Sequence, residues 1–511
     1  MPAKTIMVQG TASSVGKSML VTALCRILRQ DGYSVAPFKS QNMALNSFAT
    51  ADGKEMGRAQ VVQAYAAGLQ PQVEMNPILL KPEGNSRSQV IVMGSPIGSL
   101  SARDYYKLKP ELWPVVERSL SHLKESYEVI VIEGAGSPAE INLRESDIVN
   151  MKVAQLANAP VLLVGDIDRG GVFASLVGTM ELLLPEERQL VKGMVINKFR
   201  GDISLLTPGL TFLEDRTGVP VLGVLPYLMN LRLPEEDSVA LERRVAKESP
   251  LKAIDVAVIR LPHISNFDDF DPFDQEDAVS LRYVSDPDGL EGADLIILPG
   301  TKTTIDDLLY ITERGLTARI KEAAASGTPV FGICGGYQML GTKLKDPDHV
   351  ESIYDEVEGI GLLPVETTFL PDKITRQVTA TVEASNGILA GATGSLITGY
   401  EIHCGISNND GTAPAFYINR REGTLAQGYD GAMNNEGTII GTYIHGLFHN
   451  KELFNSILNY LASTKGIALD TDKSSIFDSV DRVQDDPFDR LADMVRSNID
   501  MEKLYRIIGL K

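Results

Sequence analysis

A glycine-rich segment near the N-terminus constrains the fold of this chain more than any other feature. From Gly10 to Ser18 the sequence is Gly-Thr-Ala-Ser-Ser-Val-Gly-Lys-Ser, between a short apolar run, Ile6 to Val8, and an amphipathic stretch, Met19 to Gln30. Strand, glycine-rich loop, Lys-Ser and helix in this order are typical of a phosphate-binding loop. The chain is therefore expected to begin with an α/β domain that binds a nucleotide.

The chemistry of such a loop predicts an ATP and Mg²⁺ site. Backbone N–H groups and the helix N-terminus bind phosphates, a lysine reaches the terminal phosphates, and a serine hydroxyl ligates Mg²⁺. The loop is one residue longer than the generic motif. A glycine-rich turn that merely caps a helix is the alternative, but it does not explain why strand, Lys-Ser and helix coincide. The candidate ATP-binding residues are Gly10, Thr11, Ser13, Ser14, Val15, Gly16, Lys17, Ser18 and Lys39.

Two acidic residues join Ser18 as candidate Mg²⁺ ligands. Glu133 ends the apolar run Val129 to Glu133 and precedes Gly-Ala-Gly, which admits a close backbone approach. A surface glutamate at a strand end is the alternative. Asp52, within Thr-Ala-Asp-Gly-Lys-Glu, is the other candidate.

Polar residues after two further predicted strands are candidates for contacts with a substrate. One group follows Val161 to Asp166 and the other follows Val35 to Phe38, at the strand ends where such sheets bind ligands. Ion pairing within a turn is an alternative for the first group. Spacing alone does not choose among them. The candidates are Asp166, Asp168, Arg169, Gln41, Asn42 and Asn46.

Apolar β-branched runs alternate with amphipathic stretches through roughly the first two hundred residues, which indicates an α/β fold with a parallel sheet. A charged, Pro-flanked segment separates the strand Val221 to Leu225 from the strand Ile254 to Arg260. We therefore predict an ATP-binding domain over 1–232, a linker over 233–253, a second α/β domain over 254–450 and a helical C-terminal extension over 451–511. In the second domain, strands are expected at Leu295 to Leu298, Pro329 to Ile333 and Thr438 to Ile444.

The second domain contains a candidate nucleophile. Cys334 follows an apolar strand and is surrounded by glycines in Phe-Gly-Ile-Cys-Gly-Gly-Tyr-Gln, the outline of a nucleophile elbow. A cysteine among glycines can also be a small core residue. Gln338 and a suitable base, His445, favour catalysis. Cys25 and Cys404 are interpreted as structural thiols.

Composition excludes several classes of protein. With 67 acidic against 48 basic side chains, the net charge is −19, which disfavours binding to nucleic acid. The N-terminus has no signal-peptide pattern and no apolar run reaches membrane-spanning length, so a cytoplasmic protein without a membrane partner is expected. Three cysteines and six histidines are too scattered for a disulfide framework or a zinc site.

Taken together, these motifs resemble the cobyric acid synthase family over nearly the whole chain. The similar segments keep the family order, which is rarely accidental. They are Gly10 to Ser18, Lys39 to Asn46, Asn76 to Pro82, Glu133 to Ser137, Gly165 to Gly171, Asn197 to Gly201, Cys334 to Gln338 and Gly399 to His403.

The resemblance implies an N-terminal P-loop ATPase domain of dethiobiotin-synthetase type and a C-terminal class I-like glutamine amidotransferase domain. It also implies the substrates: glutamine, ATP and an anionic corrinoid, adenosylcobyrinic acid a,c-diamide, amidated at its b, d, e and g side chains. Within this scheme Cys334 attacks glutamine, His445 protonates the departing ammonia, and N–H groups near Gly300 and Gly335 stabilise the oxyanion.

One position departs from ordinary class I amidotransferases. These carry a glutamate two residues after the catalytic histidine, where this chain has Leu447. The same lack marks the cobyric acid and cobyrinate diamide synthase branch. Glu401 or a backbone carbonyl are the alternatives for orienting His445.

Other functions share some of these features. Cobyrinic acid a,c-diamide synthase and a cell-wall isoglutaminyl synthase have the same thiol and histidine elements, although the segments around Asp166 and Lys39 favour cobyric acid synthase. A regulatory ATPase of the chromosome-partitioning type is the non-enzyme alternative. The oligomeric state stays open.

Overall fold

A computed structural model of the chain describes residues 2–84, 86–228, 252–408, 411–469 and 487–510. The predicted linker, 233–253, lies almost entirely outside these residues. Before it, the strands are β1 (Lys4–Gly10), β2 (Val35–Phe38), β3 (Gln41–Met43), β4 (Ser47–Ala49), β5 (Glu55–Gly57), β6 (Ile78–Gly84), β7 (Arg87–Val92), β8 (Ser95–Ser101), β9 (Val129–Glu133), β10 (Val161–Asp166), β11 (Val191–Phe199) and β12 (Val221–Pro226). The helices are α1 (Lys17–Gln30), α2 (Arg58–Ala66), α3 (Ala102–Ser126), α4 (Met151–Ala157), α5 (Val172–Leu182), α6 (Pro185–Arg188) and α7 (Thr207–Thr217).

The core of this first domain is a six-stranded parallel sheet of order β12-β11-β10-β1-β9-β2. Its central strands are apolar along almost their whole length because helices cover both faces of the sheet. Since all strands run the same way, the end of β1 at Gly10 and the end of β9 at Glu133 lie at one edge. The phosphate loop begins at this edge.

Beyond the linker the chain forms the second domain. Its strands are β13 (Ile254–Ile259), β14 (Val279–Val284), β15 (Leu295–Leu298), β16 (Val330–Ile333), β17 (Lys343–Lys345), β18 (Glu356–Glu358), β19 (Glu366–Val382), β20 (Leu396–Asn408), β21 (Phe416–Arg421), β22 (Thr424–Asp430), β23 (Ala432–Met433), β24 (Ile439–Thr442) and β25 (Ile444–His445). The helices are α8 (Asp271–Gln275), α9 (Thr304–Glu313), α10 (Leu316–Ala325), α11 (Gly335–Leu340), α12 (Lys451–Thr464), α13 (Pro487–Asn498) and α14 (Met501–Ile508).

Two sheets build the second domain. The strands β14-β13-β15-β16-β24 are parallel, and β23 adds to β24 in the antiparallel direction. A mostly antiparallel sheet contains β18-β17-β19-β20-β25, with β21 and β22 paired beside β19. The α/β fold class predicted from the sequence is confirmed in both domains.

One predicted strand is wrong in its extent. The segment Thr438 to Ile444 was expected to be continuous, but β24 ends at Thr442 and β25 joins the other sheet, where His445 pairs with Tyr400. The apolar pattern continues through the break because residues on both sides of it are buried. This change of sheet places His445 between the two layers.

The C-terminal helices divide between the domains. On α12, Leu453, Ile457 and Leu461 are buried in the core of the second domain. On α13 and α14, in contrast, apolar residues join the cluster around α1, and Asp489 pairs with Arg26 at 2.6 Å. The last helices therefore pack on the domain that contains the N-terminus. No helix in the described ranges is long and apolar enough to cross a bilayer.

Candidate active sites

The phosphate loop is held between β10 and β11. Thr11 donates its backbone N–H to the Val164 carbonyl at 3.0 Å, and the Asn197 side chain donates to the Val15 carbonyl at 2.8 Å. Gly16 has φ of 100° and lies so close to Asn197 that a Cβ would be 2.0 Å from its Nδ2. Glycine is required there by both conformation and space. The loop residues named from the sequence therefore form one continuous turn into α1.

Lys17 and Ser18 connect this loop to the end of β9. The Lys17 Nζ donates to the Ala12 carbonyl at 2.9 Å and to the Gly136 carbonyl at 3.1 Å. The Ser18 Oγ donates to Glu133 Oε1 at 2.8 Å. A lysine that spans the loop and a serine hydroxyl beside a carboxylate are the arrangement expected for binding a nucleoside triphosphate.

Glu133 lies at the centre of a buried polar cluster. Its side chain is 1% exposed, Lys39 Nζ lies 2.9 Å from Oε1, and Gln63 Nε2 donates to Oε2 at 2.5 Å. Burial raises the pKa of Glu133, but the charge of Lys39 and the hydrogen bonds outweigh it and hold the pKa below its usual value. The carboxylate is therefore ionised, and with the Ser18 hydroxyl it supplies the oxygen ligands that Mg²⁺ prefers.

Asp52 does not join this cluster. It is exposed in the turn between β4 and β5 and accepts a hydrogen bond from the Thr50 hydroxyl at 2.5 Å. Gly53 beside it faces the Thr375 carbonyl and the Glu422 side chain of the second domain. The described contacts of Asp52 include neither Ser18 nor Glu133, because the β4–β5 hairpin directs this turn to the domain interface. The structure thus gives no support to Asp52 as a metal ligand.

Of the candidates after β10, the described contacts connect only Asp166 to the phosphate loop. Lys198 Nζ lies 2.7 Å from Asp166 Oδ2 and donates to the Ser14 carbonyl at 2.6 Å, so Asp166 supports the phosphate loop through a lysine. Asp168 pairs with Arg200 at 3.0 Å. Arg169, in the same turn, is exposed.

The polar residues after β2 have structural partners in the folded chain. Gln41 Oε1 accepts a hydrogen bond from the Tyr105 hydroxyl at 2.5 Å, and Asn42 donates to Gln60 at 3.0 Å. Asn46 is fully buried and accepts the backbone N–H of Phe267, across the domain interface, at 3.3 Å. Asn46 therefore helps to hold the domains together.

Cys334 occupies a sharp turn between β16 and α11. Its φ and ψ are 52° and −109°, a conformation that L-residues rarely adopt. The backbone N–H donates to the Thr442 carbonyl at 2.8 Å, and a Cβ at Gly336 would lie 2.0 Å from the Leu298 carbonyl oxygen. Glycine is thus required for the turn, and the geometry is that of a nucleophile elbow.

His445 is bound by a carboxylate that the sequence analysis missed. Its Nδ1 lies 2.7 Å from Asp269 Oδ2, and Asp269 Oδ1 accepts the Gly446 N–H at 2.7 Å. Burial lowers the pKa of His445, but the charge and hydrogen bond of Asp269, together with the nearby sulfur of Cys334 as an acceptor, raise it to about 10. Asp269 therefore holds the histidine predicted as the base for Cys334, while the thiol itself donates to the Ile402 carbonyl at 3.3 Å.

The partner of His445 Nδ1 is Asp269 rather than Glu401 or a backbone carbonyl, the alternatives that the sequence left open. Glu401 lies 3.4 Å from both Arg376 and Arg421, so its charge is balanced elsewhere. A sequence signal for Asp269 did exist. It belongs to Phe-Asp-Asp-Phe, in which two carboxylates lie between phenylalanines, and all four residues are buried. Buried carboxylates without a nearby basic residue in sequence need a partner from elsewhere in the fold.

The predicted oxyanion and glutamine residues surround the thiol. A Cβ at Gly300 would lie 3.0 Å from His445 Cε1, and one at Gly335 would lie 2.8 Å from a Thr301 methyl carbon. Gln338 is 2% exposed and donates to the Cys404 carbonyl at 3.0 Å. Gly300 and Gly335 are therefore close to the reacting groups, while the Gln338 side chain is fixed by its hydrogen bond to the Cys404 carbonyl.

A polar cavity opens beside Cys334 and reaches the first domain. Burial raises the pKa of Glu351, on its wall, to about 7, although Lys302 opposes the shift. Anionic and cationic groups together suit a zwitterionic amino acid. The lining residues are Lys81 and Gln89 from the first domain, and Ser265, Asn266, Thr301, Lys302, Thr304, Cys334, Gln338, Glu351, Lys373, Ile402, His403 and Cys404 from the second.

Comparisons with known proteins agree with the two domains. Residues 6–240 match the CobQ/CobB/MinD/ParA nucleotide-binding domain, and residues 255–453 match the CobB/CobQ-like glutamine amidotransferase domain. A cobyric acid synthase of Pelotomaculum thermopropionicum is 54% identical over 511 residues, covering 99% of this chain and 97% of that relative. The chain belongs to the cobyric acid synthase family.

Further cobyric acid synthases are similar over the same length. The protein of Dehalococcoides mccartyi strain CBDB1 is 52% identical over 507 residues, covering 99% of both chains. That of Moorella thermoacetica is 52% identical over 510 residues, covering 100% of this chain and 98% of the relative. As a member of the cobyric acid synthase family with an amidotransferase domain, the protein is a glutamine-dependent ligase.

Proposed function

We propose that the protein amidates the b, d, e and g carboxylates of adenosylcobyrinic acid a,c-diamide to give adenosylcobyric acid. Glutamine supplies the nitrogen and ATP activates each carboxylate. Family membership supports the corrinoid substrate, and the Cys334–His445–Asp269 triad carries the assignment of the glutamine half-reaction. A cytoplasmic location stays a prediction from the sequence.

The glutamine half-reaction follows from the triad. The Cys334 sulfur attacks the amide carbon of glutamine, and N–H groups near Gly300 and Gly335 stabilise the oxyanion. His445, held by Asp269, takes the proton of the Cys334 thiol and gives it to the departing nitrogen, which leaves as ammonia. Water then hydrolyses the thioester to glutamate, which frees the thiol.

The ATP half-reaction makes the corrinoid carboxylate reactive. A carboxylate resists attack by ammonia until one oxygen becomes a leaving group, and transfer of the terminal phosphate of ATP makes an acyl phosphate. Lys17 and the loop N–H groups bind the phosphates. Ser18 and Glu133 would hold Mg²⁺, which neutralises phosphate charge when bound. Ammonia then displaces phosphate and leaves the amide.

The decisive experiment follows the mass of the corrinoid product. The protein is incubated with glutamine, Mg·ATP and the a,c-diamide, and each conversion of a carboxyl into an amide lowers the mass by about one unit. Four successive decreases are expected. No conversion of the a,c-diamide, but conversion of cobyrinic acid or of a cell-wall precursor, would favour a sister enzyme. ATP hydrolysis without any amide would favour a regulatory ATPase.

A further inference from the structure

One short helix of the first domain contacts both candidate active sites. At the start of α2, Arg58 Nε lies 3.1 Å from Asp268 Oδ2 of the second domain. Five residues later, Gln63 donates to Glu133 at 2.5 Å. The rise of an α-helix separates these two residues by about 7.5 Å along the axis. About one and a half turns of α2 therefore connect the ATP site to the amidotransferase domain.

The Arg58 end of α2 lies next to the partner of the catalytic histidine. Asp268 is 2% exposed and precedes Asp269, which binds His445. Two adjacent buried carboxylates repel each other unless a cation offsets their charge. Burial lowers the pKa of Arg58, but the charge of Asp268, with smaller contributions from Tyr400, Tyr65 and Asp269, outweighs it and raises the pKa. The first domain thus supplies the cation for Asp268, while His445 pairs with Asp269.

The polar atoms where Arg58 meets Asp268 are incompletely hydrogen-bonded. Within the described ranges, Arg58 Nε and Asp268 Oδ1 are buried without a hydrogen-bond partner, although the charges are close. The Tyr400 hydroxyl is buried without a partner too, and the Tyr400 ring stacks on His445 at 5.3 Å. Unpaired buried polar atoms are unfavourable, so a small shift of α2 that aligned them would be favoured.

The Gln63 end of α2 is hydrogen-bonded to Glu133, the candidate Mg²⁺ ligand. In the structure Glu133 accepts from Ser18, Lys39 and Gln63 at once. When Glu133 contributes an oxygen to a bound cation, these hydrogen bonds must rearrange. The residues of α2 between its ends are almost all buried, so the helix is expected to move as a unit.

We propose that Arg58 is a positioning residue through which occupancy of the ATP site raises the rate of glutamine hydrolysis at Cys334. When the hydrogen bonds of Glu133 rearrange, α2 moves and Arg58 moves with it. Because Arg58 is paired with Asp268, this movement shifts Asp268 and the adjoining Asp269, which orients His445. This inference rests on the proposed function, since it assigns Glu133 to the nucleotide site and Cys334 to glutamine.

The test measures glutamate release by the full-length protein without nucleotide and with Mg²⁺ plus a non-hydrolysable ATP analogue. Wild-type kcat is expected to rise roughly 5- to 100-fold with little change in KM. Arg58→Met should keep most of the basal kcat and lose the stimulation, while Arg58→Lys retains part of it. Gln63→Leu should also lose the stimulation, although the hydrogen bond that it removes, to Glu133, lies within the first domain. A matched control, Gln377→Ala, removes an interdomain hydrogen bond to the Ala49 carbonyl and should retain the stimulation of kcat.

Several results would overturn the proposal. They are an unstimulated wild type, equal stimulation of wild type and Gln63→Leu, or loss of stimulation in Gln377→Ala as large as in Arg58→Met. If Arg58→Met does not fold, Gln63→Leu decides. Failure of the proposed function looks different, since wild type would then release no glutamate, or Cys334→Ala would release it at the same rate.

Discussion

His445 Nδ1 lies 2.7 Å from Asp269 Oδ2, although the two residues are 176 positions apart in the chain. The carboxylate also accepts the N–H of Gly446, so both the ring and the turn behind it are held by one side chain. An imidazole bound through Nδ1 presents Nε2 to the nucleophile. The chain has Leu447 two residues after the histidine, so the carboxylate at the ring comes from a distant segment.

Asp269→Asn should impair glutamine hydrolysis without affecting the ATP site. An amide cannot stabilise the imidazolium and favours the wrong tautomer, so kcat for glutamate release is expected to fall about 10²- to 10⁴-fold. Amidation with ammonium salts should persist. Glu401→Gln is the matched comparison, and a larger loss there than in Asp269→Asn would contradict the triad.

Cys334→Ala should separate the two half-reactions. Without the thiol, glutamine-dependent amidation is expected to fall by at least about 10³-fold, because no thioester can form. Ammonium chloride should still support amide formation, measured by product mass. Cys404→Ala is the thiol control and should keep most glutaminase activity. Equal loss with glutamine and with ammonium would contradict the division of labour.

Lys17→Ala should remove amidation with either nitrogen source. The lysine is expected to bind the phosphates that activate the carboxylate, a step that precedes the use of ammonia. ATP turnover and product mass are the measurements. Substantial amidation by this variant, with glutamine or ammonium, would rule out the phosphate loop as the site of activation.

The triad should also make stability depend on pH. The pKa of His445 is raised from 6.5 to about 10, so the folded protein binds this proton more tightly than the unfolded chain. The resulting stabilisation is fully present below about pH 6.5 and is lost as pH rises through about 10. Urea titrations between pH 6 and 10 should show a shallower decline for Asp269→Asn than for wild type. Parallel curves would contradict the raised pKa.

The C-terminal helix α13 should stabilise the first domain. Leu491 is 1% exposed and belongs to the same apolar cluster as α1. Leu491→Ala is expected to lower the free energy of unfolding by about 2–5 kcal/mol, measured by urea denaturation. Leu425→Ala, at a side chain that is 84% exposed, should change it by less than about 0.5 kcal/mol. Similar effects of both substitutions would contradict this packing.

Local sequence predicted the elements that depend on neighbours along the chain. The phosphate loop needs strand, glycines, Lys17 and helix in immediate succession, and the elbow at Cys334 needs glycines beside it, so both were recognised. Most strands of the two parallel sheets were located because buried parallel strands are continuous apolar runs, whereas β14 and the strands β17 to β22 were not predicted. The break between Thr442 and Ile444 was missed, since burial continues on both sides of it.

What the sequence determined by itself was the α/β class, the phosphate loop and the nucleophile turn, because each follows from residues within one short segment. The resemblance to a family supplied the corrinoid. Only the tertiary structure decided that Asp269 orients His445, that Asp52 lies at the domain interface and that Arg58 reaches Asp268. These relationships join distant segments, and electrostatic pairing between buried groups depends on distances that only the packed chain defines.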